Sequence, residues 1–145
     1  MARVAAVNIS DRKGVIQTPV ERGEFQTDLG LKGDAHSGNW HRQVSLLAQE
    51  SIDKMSAKGI LELTSGKFAE NLTTEGIELF TLPVGTKMEI GEVLMEVTQI
   101  GKECHRGCQI MKMVGDCIMP REGIFTKILR DGVIRPGDEI RLIAR

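Results

Sequence analysis

The stretch Lys87-Met-Glu-Ile90-Gly-Glu-Val93-Leu-Met-Glu-Val97 decides the fold class. Met88 and Ile90 alternate with Lys87 and Glu89, and Val93, Met95 and Val97 keep the period of two beyond Gly91-Glu92. Successive strand side chains point to opposite faces, so this pattern predicts two half-buried strands. A glycine at the first position of a two-residue loop fits a type II′ turn, whose twist suits an antiparallel hairpin.

The same signals recur on both sides. Arg3–Ile9 and Gly14–Val20 are β-branched runs separated by Ser10-Asp-Arg-Lys-Gly14, which predicts a first hairpin. Gly123–Arg130 reads as a further strand, and Asp131-Gly132 after it is a favoured type I′ pair. Arg135-Pro-Gly-Asp138 carries proline then glycine at its centre, the signature of a type II turn, and Ile140 and Leu142 alternate in a closing strand. One helix is expected where Ala48, Ile52 and Met55 recur at helical spacing, with Glu50 and Lys54 as an i,i+4 pair and Gly59 as the stop. A second short helix is expected near His105–Met113. Many strand signals and little helix give a mainly β chain, a mostly antiparallel barrel or sandwich.

At 145 residues the expectation is a single domain spanning 1–145. Nineteen basic residues against twenty acidic ones leave a net charge of -1, and the chain has no tyrosine. That offers neither a basic footprint nor a stacking platform for nucleic acid, and no polybasic membrane patch. No apolar run reaches the roughly 18 residues of a membrane span. The N-terminal residues lack a secretory apolar core, and the three cysteines are an odd number, so a cytoplasmic protein with reduced thiols is expected.

All three cysteines lie close together, in Gly101-Lys-Glu-Cys104-His-Arg-Gly-Cys108 and on to Cys117, with Arg121 following. Thiolates are nucleophiles and soft-metal ligands, and neighbouring cations favour them. Four uses compete: a soft-metal site, a persulfide carrier with a resolving thiol, a redox disulfide, or buried core cysteines. Structural zinc at Cys104, Cys108 and Cys117 would need a fourth ligand, because only Cys104 and Cys108 form a closely spaced pair. The polar stretch Gly30–Arg42 holds His36, His41 and the one tryptophan, Trp40, and reads as either a solvated loop or a ligand-binding one. In Phe68-Ala-Glu70-Asn71-Leu72, two polar residues sit between apolar neighbours, the pattern of side chains that satisfy backbone near a bulge. No P-loop, dinucleotide fingerprint, zincin helix or nucleophile elbow is present.

Taken in order, Leu31-Lys-Gly-Asp34-Ala-His36, Arg42-Gln-Val44, Phe68-Ala-Glu-Asn71-Leu, Val84-Gly85, Ile90-Gly91, Cys104, Gly123-Ile-Phe125, Gly132 and Gly137-Asp138 resemble the MOSC family. The family is named for the C-terminal domain of molybdenum-cofactor sulfurases, and the length resembles a standalone bacterial member. The resemblance implies a MOSC-type β-barrel and a pocket for molybdenum cofactor (molybdopterin). It implies a thiolate on the metal, from Cys117 or Cys104; Cys108 departs from the family pattern as a third thiol, a further cofactor-binding candidate that leaves room for sulfur relay. Lys32 and Arg42 would bind the pterin phosphate, Asn71 the pterin edge, and His36 would donate to oxygen or deliver protons. Reduction of N-hydroxylated small molecules is implied, with electrons from a donor protein, since no flavin or iron–sulfur motif is present. The alternatives are a non-catalytic carrier of cofactor or persulfide sulfur, supplied by a cysteine desulfurase partner, and the zinc barrel. PLP is associated with the family but not expected on this chain, which lacks the desulfurase half.

Overall fold

The computed structural model describes residues 2–9, 18–34, 37–51, 53, 70–101 and 123–143. Eleven strands are described: β1 Arg3–Ile9, β2 Thr18–Val20, β3 Gly23–Gln26, β4 Gly30–Leu31, β5 Val44–Ala48, β6 Leu72–Glu75, β7 Lys87–Ile90, β8 Val93–Ile100, β9 Ile124–Arg130, β10 Gly132–Ile134 and β11 Ile140–Ile143. Eight form one sheet in the order β11-β7-β8-β9-β5-β6-β1-β2, and β10, β3 and β4 form a second. Every pairing is antiparallel except β5 with β6.

The large sheet curls until its β11 end meets β1. Arg3 of β1 bridges Glu139, just before β11. Val4 N donates to Asp138 O at 2.8 Å, Gly137 N to Val4 O at 2.7 Å, and Ile140 N to Ala2 O at 2.9 Å. Backbone donors at an open sheet edge would otherwise need water, and the seam supplies protein partners instead. The MOSC-type barrel expected from the sequence is the observed fold. Its interior holds Val4, Val7, Val44, Leu46, Leu72, Met88, Ile90, Val93, Met95, Val97, Ile124 and Ile128, all buried.

The alternation over 87–97 produces what it predicts. Met88 pairs with Met95 and Ile90 with Val93, with both pairs in the core. Gly91 sits at φ 58°, the left-handed region that a type II′ turn requires of its first centre. The first hairpin is also present, with Val7 opposite Val20. At Arg135–Asp138 the type II turn closes by Asp138 N to Arg135 O at 3.1 Å, with Gly137 at φ 96°.

Two expectations change. Ala48 ends β5 rather than opening a helix, and the helical residues are 49–51 and 53. Ala48 pairs with Thr74 in the parallel ladder, so sheet pairing overrides its helical spacing. The chain between these parallel strands is a crossover, the connection in which a helix belongs. Asp131-Gly132 is not a type I′ hairpin. Neither residue has positive φ, and β10 pairs with β3 of the small sheet, so the chain changes sheets there. Gly132 is held by packing: a Cβ there would lie 2.9 Å from Val93 Cγ2 and 3.2 Å from the Glu92 carbonyl carbon. The expected helix at 105–113 lies outside the described residues. Among the described residues, no helix is long and apolar enough to cross a membrane.

Candidate functional site

The cysteine-bearing stretch leaves the barrel at the end of β8 and returns at the start of β9. Its two ends are tied by Gly101 N donating to Gly123 O at 2.6 Å. Cys104, Cys108 and Cys117 themselves lie outside the described residues, as does His36. The chemistry at the root of that stretch is described, and it is cationic and aromatic.

A bulge creates it. Val97 pairs with Thr126, but Gln99 pairs with Phe125, so Thr98 is an extra residue in β8. Without this insertion the strand period would return Gln99 to the core side with Val97. With it, Gln99 shares the outer face with Phe125, and bulges commonly re-aim a side chain in this way. The Thr98 hydroxyl donates to the His41 carbonyl and lies 3.1 Å from the Phe125 carbonyl, which ties the bulge to the loop before β5.

Gln99 then gathers its neighbours. Its Oε1 accepts from Arg42 Nε at 3.1 Å and lies 3.0 Å from His41 Nε2, while its Nε2 donates to Gly101 O at 2.7 Å. The Arg42 guanidinium stands 5.5 Å from the Phe125 ring centroid and 5.9 Å from that of Trp40. Aromatic faces attract a cation and shield it from solvent. Trp40 also meets His41 edge to face, with centroids 5.8 Å apart. Beside this cluster is an open cavity of about 350 Å³, lined in part by Asp28, Trp40, His41, Thr98 and Lys127.

Of the other residues expected from the sequence, Lys32 and Asn71 are described. Lys32 is exposed in the turn just after β4, its Nζ 3.6 Å from Glu24 Oε2. Asn71 is fully buried and clamps strands together. Its Oδ1 accepts from Ser45 N at 3.0 Å and Ser45 Oγ at 3.2 Å, and its Nδ2 donates to Asn8 O at 3.4 Å. That is the side chain-to-backbone arrangement which Glu70-Asn71 suggests among apolar neighbours. Glu70 is buried beside it and accepts from Thr73 Oγ1 at 2.8 Å. Ser45 also pairs with Phe125, so this clamp abuts the strand that carries the aromatic wall.

A larger cavity, of about 650 Å³, lies at the β1–β11 seam. Glu50, Asp53, Glu75 and Glu139 line it, and Arg3 is paired there with Glu75 at 3.0 Å. Its charge opposes an anionic ligand. The described residues include no group of three or more His, Cys, Asp or Glu side chains disposed to hold a metal. Charge and chemistry therefore favour the Arg42 end, although its cavity is smaller.

Sequence reading singles out Arg42 but not Gln99, because a bulge leaves no mark in a hydrophobic period. No curated protein matches the chain in sequence. Among solved structures, the YuaD protein from Bacillus subtilis superposes with a TM-score of 0.82 at 18% identity, covering 100% of this chain and 97% of that one. YiiM from Geobacillus stearothermophilus gives 0.77 at 19% identity, over 100% of this chain and 76% of that one. YiiM from Escherichia coli gives 0.69 at 18% identity, over 99% and 70%. The barrel is thus a shared architecture. The family model for the MOSC domain matches residues 33–141, from the glycine-rich turn after β4 into β11, and the chain belongs to that family.

Proposed function

We propose that the chain binds molybdenum cofactor at the end of the barrel where residues 102–122 leave and return. The observation that carries this is the tie between Gly101 and Gly123, which brings both ends of the thiol-bearing stretch to the Arg42–Gln99 cluster. The donor set suits the group. A pterin phosphate calls for a guanidinium, which can grip two oxygens at once, and Arg42 has only its Nε engaged among the described residues. Molybdenum calls for a soft ligand, and Cys117 or Cys104 would provide the thiolate. Bound, the cofactor would supply two-electron chemistry at a metal centre.

The protein's own part is to bind and orient. Arg42 would hold the phosphate, with Trp40 and Phe125 shielding the charge from water. Lys32 would add long-range attraction for the anion, and Asn71 would act from behind the site by keeping β5 and β6 in register. His36 would deliver protons. The activity proposed is reduction of N-hydroxylated small molecules with electrons from a donor protein, or handling of the cofactor's sulfur on the same thiolate.

The test is elemental analysis of protein expressed in cells replete with the cofactor. Wild type is expected to carry molybdenum near one equivalent, and Cys117→Ser or Cys104→Ser to lose it while melting unchanged. Retention at wild-type occupancy in both serine variants would remove the thiolate ligand. Zinc in place of molybdenum, with unfolding on chelation, would establish the zinc barrel instead. A persulfide on Cys104 or Cys117 without metal or turnover would establish a sulfur carrier. Arg42→Ala is expected to weaken cofactor retention by about 1–3 kcal/mol, read as its dissociation constant.

A further inference from the structure

The three contacts of the Gln99 amide determine more than its position. An arginine Nε can only donate and a backbone carbonyl can only accept. Arg42 Nε at 3.1 Å and Gly101 O at 2.7 Å therefore fix which end of the amide is oxygen. The opposite orientation would set donor against donor and acceptor against acceptor. His41 Nε2, 3.0 Å from that oxygen, must then carry a proton. A neutral imidazole has a single N–H, so its lone pair is on Nδ1. The charged groups nearby are Arg42, next in sequence, and Asp28 and Lys127 across the cavity. Among the described residues, none of them hydrogen-bonds to Nδ1.

We infer that Gln99 is a positioning residue of this site: it fixes His41 as the Nε2–H tautomer, with Nδ1 as the basic nitrogen, and holds Arg42 by Nε alone, which among the described residues leaves both η nitrogens for an oxyanion. The oxyanion half rests on the cofactor reading above, whereas the tautomer half stands without it. A structural glutamine would need only to satisfy Gly101 O. This one spends its oxygen on the two side chains that border the cavity and its nitrogen on the root of the thiol stretch. Any shift of that root is thereby transmitted to Arg42 and His41 together.

Two measurements on the full chain test this. The first is ¹⁵N–¹H correlation of the imidazole and guanidinium groups in wild type, Gln99→Leu and Gln99→Glu. In wild type, neutral His41 should be protonated on Nε2 alone, and the Arg42 Nε–H should exchange slowly with water. Gln99→Leu should let the Nδ1–H form appear at the proportion of a free imidazole and expose the Arg42 Nε–H. Gln99→Glu keeps an acceptor oxygen and should restore both signatures. The second is titration with inorganic phosphate, which wild type should bind about tenfold more tightly than Gln99→Leu. A wild-type His41 already showing the free mixture, or a Gln99→Leu spectrum like that of wild type, would overturn the inference. If the tautomer and slow exchange are found but wild type does not bind phosphate, Gln99 keeps its role over His41 and the cofactor reading fails instead.

Discussion

At the scale of single residues, the burial of polar groups separates structural from functional roles. Asn71 and Ser45 are both buried and satisfy one another: Asn71 N donates to Ser45 O at 2.9 Å, in return for the Ser45 N–H that Asn71 Oδ1 accepts. Asn71→Ala would remove the buried acceptor of the Ser45 amide and one partner of its hydroxyl. It should lower the unfolding free energy by about 2–3 kcal/mol, read from urea denaturation with an unchanged slope. A loss within error of zero would mean the clamp is dispensable. Asn8 is buried next to it, with Nδ2 donating to Glu70 O at 3.2 Å and to Thr73 Oγ1 at 3.1 Å. Its Oδ1 has no partner among the described residues. Arg42 differs in kind, being half-buried against aromatic faces with most of its donors uncommitted among the described residues.

At the scale of elements, the hairpin β7–β8 and its neighbours carry a row of charges on the outer face. Glu89 pairs in register with Arg141 of β11 and, on its other side, with Leu94, which faces Arg130 of β9. The Arg130 guanidinium donates to Glu89 at 2.6 Å, and Arg141 donates to its other oxygen. The hydrogen bond from Arg130 is the main reason the Glu89 carboxyl is held below its ordinary 4.5; partial burial opposes this, and the charge of Arg141 adds to it. A depressed carboxyl stabilises the fold above its unfolded pKa, and that contribution disappears as pH falls through the lower folded value. Glu89→Gln should therefore be less stable than wild type at neutral pH, and the two proteins should converge only as pH falls through the lowered folded value. A constant difference from neutral pH into acid would remove the ion pair as its cause. In the same hairpin, Gly91→Ala should cost about 1–2 kcal/mol in thermal or urea unfolding, because an L side chain is strained at φ 58°.

At the scale of the whole molecule, the seam between β1 and the β11 end turns a curled sheet into a barrel. If it closes as firmly as its bond lengths suggest, the amides of Val4, Gly137 and Ile140 should exchange with solvent only as slowly as those of the core strands β8 and β9. Rapid exchange at these three positions would mean that the seam opens independently of the rest. Much of this architecture was legible in the chain itself. The alternation of Met88, Ile90, Val93, Met95 and Val97, the Gly91-Glu92 turn and the Pro136-Gly137 turn are local signals, and each appears where the sequence puts it. Asp131-Gly132 misled because a turn dipeptide does not reveal which sheet the next strand will join, and Ala48 because parallel pairing with β6 outweighs helical spacing. Of the site, the sequence by itself determined the stretch that carries the thiols and the arginine that would meet an anion, since residue type sets that chemistry. Only the tertiary structure decided that Gln99 joins them. The bulge at Thr98 turns it outward, and its contacts to His41 and Arg42 span 58 and 57 residues. Strand order and register arise from burial across the whole chain, and no local pattern records them.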